Sequence, residues 1–150
     1  MSITTTPHLN FRGDARAALE FYASVFGGNV TIATYGDFGM PAEVPGADSV
    51  VFGQVESADG FRVMAYDIPG QAGGSASGAG STHRENGTTI TDQPFFVAVS
   101  GKTLEEVEGY WAKLAVGATI VEPLAASAWS PGFGMLTDGF GVTWVLDVAR

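Results

Sequence analysis

Two stretches of this chain carry the same ordered set of signals, and a duplicated pattern admits few folds. Phe21-Tyr22 lies on an apolar-periodic stretch that ends in Gly27-Gly28. Tyr110-Trp111 lies on a second such stretch that ends at Gly117, and the aromatic pair and closing glycine keep one offset. Asp59-Gly60-Phe61 then recurs as Asp138-Gly139-Phe140, at a shorter offset. The shared order of elements favours gene duplication over coincidence. It predicts two similar modules, residues 1–68 and 92–150, within one domain spanning residues 1–150.

Each copy reads as β-α-β-β-β. In the first, Thr5 to Phe11 is a short strand, and Asp14 is suited to cap a helix over Ala15 to Phe26. Ala18, Leu19, Phe21, Tyr22, Val25 and Phe26 repeat at helical spacing and predict one buried face. Gly27-Gly28 ends it. Asn29 to Tyr35 is β-branched and strand-like, and a loop with Pro41, Pro45 and Gly46 follows. Ser49 to Glu56 and Phe61 to Asp67 form a hairpin around Asp59-Gly60. In the second copy, Gln93 to Ser100 is the first strand. Thr103 with Glu106 makes a capping box, and Leu104, Val107, Tyr110, Trp111 and Leu114 form the helix's apolar stripe. Ala118 to Val121, Gly132 to Thr137 and Val142 to Val148 complete the copy, the last two pairing around Asp138-Gly139.

Between the copies lies a Gly/Ser-rich insert, residues 69–91. Its core, Gly70 to Ser81, has flexible-linker composition. It reads either as an inter-module linker or as a lid over a pocket, in which case His83, Arg84 and Glu85 carry its chemistry.

Composition removes whole classes of function. The 150 residues include no cysteine, which excludes disulfides, a thiolate nucleophile and zinc–thiolate or iron–sulfur sites. The formal net charge is -9, from 7 basic and 16 acidic residues, with no basic stripe for nucleic acid or an anionic membrane. No apolar run approaches the ~20 residues of a membrane-spanning helix. The first residues lack the basic and apolar regions of a signal peptide, so the expected location is the cytoplasm. Charged residues make up 15% of the chain, and this low fraction is compatible with a surface partly covered in a homodimer. Glu105, Glu106 and Glu108 read as a solvated helix start, not paired catalytic carboxylates.

The opening Pro7-His8-Leu9-Asn10-Phe11-Arg12-Gly13-Asp14, followed by Ala17 to Gly28, resembles the start of the vicinal oxygen chelate superfamily. That superfamily includes glyoxalase I, bleomycin-resistance proteins and extradiol dioxygenases. Phe133 to Trp144, with Trp129 upstream, is similar to the PhnB-like branch, often labelled as similar to 3-demethylubiquinone methyltransferase. The resemblance implies an α+β fold of two βαβββ modules, whose curved mixed sheets enclose a cavity. It also implies a homodimer and, in metal-dependent members, one divalent ion. Its ligands are His, Glu or Gln on the first and last strands of each module, and it activates substrate oxygens as a Lewis acid.

This chain departs from that ligand pattern. His8 or Pro7 occupies the first position, and a one-residue slip would reverse the face. The later positions offer Met64, Ala65 or Tyr66, then Phe95 or Phe96, then Trp144, Val145 or Leu146. Asp67 and Asp147, at strand ends, are expected to meet solvent or a turn. No cofactor and no metal are therefore expected. The replacements suggest a ligand pocket with an apolar lining of Phe52, Met64, Tyr66, Phe95, Phe96, Trp129 and Trp144, in which His8, Asn10, Gln54 and Tyr66 are the candidate orienting groups. The expected function is metal-independent binding of a small molecule, aromatic or cationic, without nucleic-acid or membrane partners. The alternative is a metal-dependent lyase or dioxygenase with a rebuilt site using His8, Gln54 and His83 or Glu85. A third reading is a vestigial pocket whose remaining role is dimerisation.

Overall fold

The computed structural model describes residues 2–70 and 81–149, and in it both copies of the repeat fold as β-α-β-β-β. The first contains β1 (His8–Phe11), α1 (Ala15–Phe26), β2 (Asn29–Thr34), β3 (Val50–Glu56) and β4 (Arg62–Asp67), with a short 3-10 turn at Gly36–Phe38. Next comes a hairpin of β5 (Thr82–Glu85) and β6 (Thr88–Thr91). The second copy contains β7 (Val97–Gly101), α2 (Leu104–Leu114), β8 (Thr119–Ala125), β9 (Phe133–Thr137) and β10 (Thr143–Val148). The chain divides into two compact units, residues 1–76 and 77–150, called here modules 1 and 2.

The duplication is explicit in topology. Module 1 orders its strands β1-β4-β3-β2, and module 2 repeats this as β7-β10-β9-β8. In each sheet the first strand is parallel to the last, and the other pairs are antiparallel. A parallel pair needs a long crossover, and the helix of each module lies within it.

Each helix packs on one face of its own sheet. Ala15, Ala18, Leu19, Tyr22, Val25 and Phe26 of α1 are buried, as are Leu9 and Phe11 of β1 and Val63 and Ala65 of β4. Burying a side chain such as Leu19 contributes roughly 1.5–3 kcal/mol. Phe21, expected on the same stripe, is only half-buried. In α2 only Val107 and Leu114 are fully buried, while Tyr110 and Trp111 are half-buried and Leu104 is exposed.

The structure corrects several local expectations. β1 begins at His8, not Thr5, because Pro7 has no N–H to donate, although its carbonyl accepts from the Met64 amide at 2.9 Å. Pro94 has the same defect, so β7 begins at Val97 and Phe95 and Phe96 precede it rather than lying in a strand. Asp14 makes no side-chain cap. Thr103 does cap α2, accepting from the Glu106 amide at 3.1 Å, while the Glu106 carboxylate reaches the Lys102 amide at 3.0 Å. The second Asp-Gly turn closes at Gly141, whose φ is 91°, instead of at Gly139.

The insert also contains structure. Residues 82–91 form a hairpin around Asn86-Gly87, with φ of 53° and 76°, the left-handed pair that a two-residue turn requires. Residues 71–80 of the Gly/Ser core lie outside the described residues.

Candidate functional site

Gly53 identifies the two faces of the module 1 sheet. A Cβ there would sit 2.4 Å from Leu19 Cδ1, so Gly53 faces α1. Gly53 pairs with Ala65, and Ala65 with Leu9, so this row lies under the helix. Side chains alternate along strands. The neighbouring row, His8, Met64, Gln54 and Thr31 in register, therefore points away from α1. Asn10 pairs with Tyr66, and Phe52 with Ala33, on the same helix-free face. Six residues singled out in the sequence thus share one face of one sheet. The alternative at the first position resolves to His8, not Pro7.

The geometry on this face is compact and mostly neutral. His8 Nδ1 lies 3.0 Å from Asn10 Oδ1, and its ring meets Tyr66 edge-on at 5.3 Å. Gln54 donates to Glu56 at 2.8 Å, and Arg62 pairs with the same carboxylate oxygen at 2.6 Å. Phe52 is 38% exposed. Nearby, the Tyr35 hydroxyl donates to the Asp67 carbonyl at 2.8 Å. Burial, together with Tyr66 and the Asp67 carboxylate, pushes the Tyr35 phenol above its ordinary value.

Of the two contacts expected for Asp67, solvent and a turn, it makes the second: it holds the bend between β1 and α1 and does not reach solvent. It is 2% exposed. One carboxylate oxygen accepts from the amides of Gly13 (2.9 Å) and Ala15 (3.0 Å), and the other from Val50 (2.8 Å). A residue distant in sequence therefore supplies the cap that Asp14 does not. Asp67 also borders a cleft of about 620 Å³ between the start of α1 and the loop 42–50, which sequence reasoning missed. Arg16 and Glu43 line it too, and Arg16 reaches the Asp48 carbonyl at 3.4 Å. The amides of Gly13 and Ala15 are already engaged by Asp67, so the cleft offers little to an anion.

Module 2 distributes its expected site residues differently. Trp144 is fully buried on the α2 side, and its indole N–H donates to Asp138 at 2.9 Å. Trp144 alternates with Val145, in step with Leu146, which pairs with Gly134. A Cβ at Gly134 would meet Trp111 of α2 at 2.8 Å. Trp144 is therefore core and presents no surface to a ligand, a correction to its expected place in the pocket. Phe95 is 56% exposed ahead of β7, and Phe96 is half-buried. Trp129 is 46% exposed in the turn before β9, edge-on to Phe133 at 5.2 Å. Asp147 bonds Ser100.

The helix-free face of module 2 carries Phe133, Met135, Thr137, Thr143 and Val145. The β5–β6 hairpin lies against it. Thr89 contacts Met135 sulfur at 3.7 Å, Gln93 accepts from Thr143 at 2.9 Å, and the Arg84 guanidinium stands 5.3 Å over the Phe133 ring. His83 and Glu85 alternate to the other side of the hairpin, exposed and 3.5 Å apart. Of the three insert residues named from sequence, only Arg84 turns toward the sheet.

The residues do not fit the divalent ion that the resemblance implies. His8 is the single imidazole on its face, and its neighbours are Asn10, Met64, Tyr66 and a Gln54 already bonded to Glu56. Among the described residues no group of three or more His, Asp or Glu is placed to hold a metal. Nor, among the described residues, is any helix long and apolar enough to cross a membrane.

Comparison with known proteins agrees with this architecture. Residues 6–146 match the model of the Glyoxalase/Bleomycin resistance protein/Dioxygenase superfamily. Protein PA1353 from Pseudomonas aeruginosa is 26% identical over 98% of both chains, with a TM-score of 0.75. A PhnB protein from Bacillus cereus is 27% identical over 98% of this chain and 100% of its own, with a TM-score of 0.69. A glyoxylase/bleomycin resistance protein/dioxygenase domain from Frankia sp. EAN1pec shares the fold at 12% identity, covering 100% of this chain and 99% of its own, with a TM-score of 0.63. No curated protein sequence gives a significant match.

Proposed function

The chain belongs to the Glyoxalase/Bleomycin resistance protein/Dioxygenase superfamily, and from that premise we propose that it binds a small planar molecule on the helix-free face of module 1, without a resident metal ion. The observation that carries this reading is the shared face of His8, Asn10, Phe52, Gln54, Met64 and Tyr66. It offers aromatic and thioether surface with three polar groups beside it, the usual make-up of a small-molecule site. The ligand is a planar aromatic cation. Phe52 and Tyr66 provide ring faces for cation–π contact, and the net charge of -9 steers cations toward the protein. The PhnB protein above is the relative whose likeness supports placement in that branch. The protein acts as a homodimer in the cytoplasm.

Each aromatic contact adds on the order of 0.5–1.5 kcal/mol beyond burial, and together with the burial itself the expected dissociation constant is about micromolar. Calorimetry with N-methylacridinium in chelator-containing buffer tests this. Wild-type protein is expected to bind, and the Phe52→Ala/Tyr66→Ala double variant to bind about tenfold more weakly. Binding that disappears with chelator and returns with a divalent ion would instead contradict the metal-free site and favour the metal-dependent lyase or dioxygenase reading.

A further inference from the structure

Of His83, Arg84 and Glu85, Arg84 alone turns toward the module 2 sheet, and its hydrogen bonding is incomplete. Its side chain is 14% exposed. One terminal nitrogen, Nη1, donates to Thr89 Oγ1 at 2.8 Å. The Nε N–H is buried and, among the described residues, has no partner. Nη2 approaches Glu122 Oε1 only to 3.8 Å, beyond the ≈ 2.7–2.9 Å of a charge-assisted hydrogen bond. Nε and Nη2 form one edge of the planar guanidinium, with two parallel N–H vectors spaced to match the oxygens of a carboxylate. This is the edge left unfilled.

The surroundings explain why the protein does not fill it. Glu122 lies between two register shifts of β8, where the strand departs from the regular ladder. Its carboxylate comes near the edge but stops short of bonding distance. A buried donor without a partner costs about 1–3 kcal/mol, so its retention calls for a reason. Above the edge, the hairpin forms its own two-stranded sheet. It meets the module 2 sheet through the side chains of Arg84 and Thr89, and Thr82 bonds Gln93, which accepts in turn from Thr143 of the sheet. Phe133 lies under the guanidinium, and Trp129 stands at its edge, partly exposed.

We propose that the Nε/Nη2 edge of Arg84 is a recognition fork for the carboxylate of a small aromatic acid, bound between the β5–β6 hairpin and the helix-free face of module 2. The acid's ring packs against Phe133 and Trp129, and its carboxylate displaces Glu122 from the guanidinium. Entry requires the side-chain attachments of the hairpin to yield, which limits the occupant to a small molecule. This site stands on module 2 alone and does not rest on the cation site of module 1. The two probes carry opposite charge, so the failure of one leaves the other reading intact.

The test is calorimetric titration with benzoate and with benzamide, its neutral counterpart. Wild-type protein is expected to bind benzoate saturably and benzamide at least about tenfold more weakly. Arg84→Lys keeps the charge but loses the fork, and is expected to weaken benzoate by about tenfold or more. Glu122→Gln keeps Arg84 and removes the internal competitor, and is expected to tighten benzoate severalfold. Thermal melts of both variants establish that they fold. Equal affinity for benzoate and benzamide, wild-type affinity in folded Arg84→Lys, weaker binding in Glu122→Gln, or no benzoate binding would each overturn the proposal.

Discussion

A single buried carboxylate ties together much of module 1. Asp67 accepts from three backbone amides at the start of α1 and the start of β3. Asp67→Ala leaves those donors without partners in a dry setting, and is expected to lower unfolding free energy by about 3 kcal/mol in urea denaturation. The neighbouring Tyr35 gives a pH-dependent prediction. Its phenol is raised in the fold, so the folded state holds that proton more tightly than the unfolded chain does. Its contribution is complete below the unfolded value of about 10 and declines as pH rises through the folded value. Alkaline melts should therefore show a smaller loss of stability above about pH 10 in Tyr35→Phe than in wild type. The role of Asp67 was not legible in sequence, because two of its three partners lie more than fifty positions away and backbone amides carry no residue signature. His8 was only half legible. Its chemistry was plain, but its direction depends on where a strand starts, and Pro7 decided that.

Elements were easier to read than single residues. Both helices and the paired strands follow from hydrophobic period and turn residues, which act locally. Where the reading failed, the cause was specific. Pro94 cut short a strand that apolar content alone extends through Phe95 and Phe96. The Asn86-Gly87 turn signal is overshadowed by the Gly/Ser run before it, so from sequence the segment of the β5–β6 hairpin reads as a linker or a lid, not as strands. Trp144 was placed in a pocket because period two assigns a residue to one of two faces without naming which face carries the helix. Glycines on the sheets reveal that choice. A Cβ at Gly53 would lie 2.4 Å from Leu19 Cδ1 and 2.9 Å from the Ala65 carbonyl, so the backbone itself must move. Gly53→Ala is therefore expected to cost about 1–3 kcal/mol, measured by thermal or chemical unfolding, with the helix forced off its sheet.

For the whole molecule, duplication is the organising fact. It was visible as a repeated order of aromatic pairs, glycines and Asp-Gly turns, and it reappears as one strand order used twice. The copies have since diverged in how they use the helix-free face. In module 1 it presents His8, Phe52 and Tyr66; in module 2 it lies under the β5–β6 hairpin. Fold and family were accessible from sequence because they rest on many residues at once. The ligand was not, since it depends on a few side chains whose relative placement only the folded chain defines. The central claim is that module 1 binds its ligand without a metal ion. The direct measurement is an amide NMR titration of metal-stripped protein with N-methylacridinium, repeated after adding zinc or manganese. Saturating shifts at His8, Phe52, Gln54, Met64 and Tyr66, the same in both titrations once the paramagnetic broadening of manganese is discounted, are the predicted result. Shifts that arise at those residues only after metal is added would contradict it.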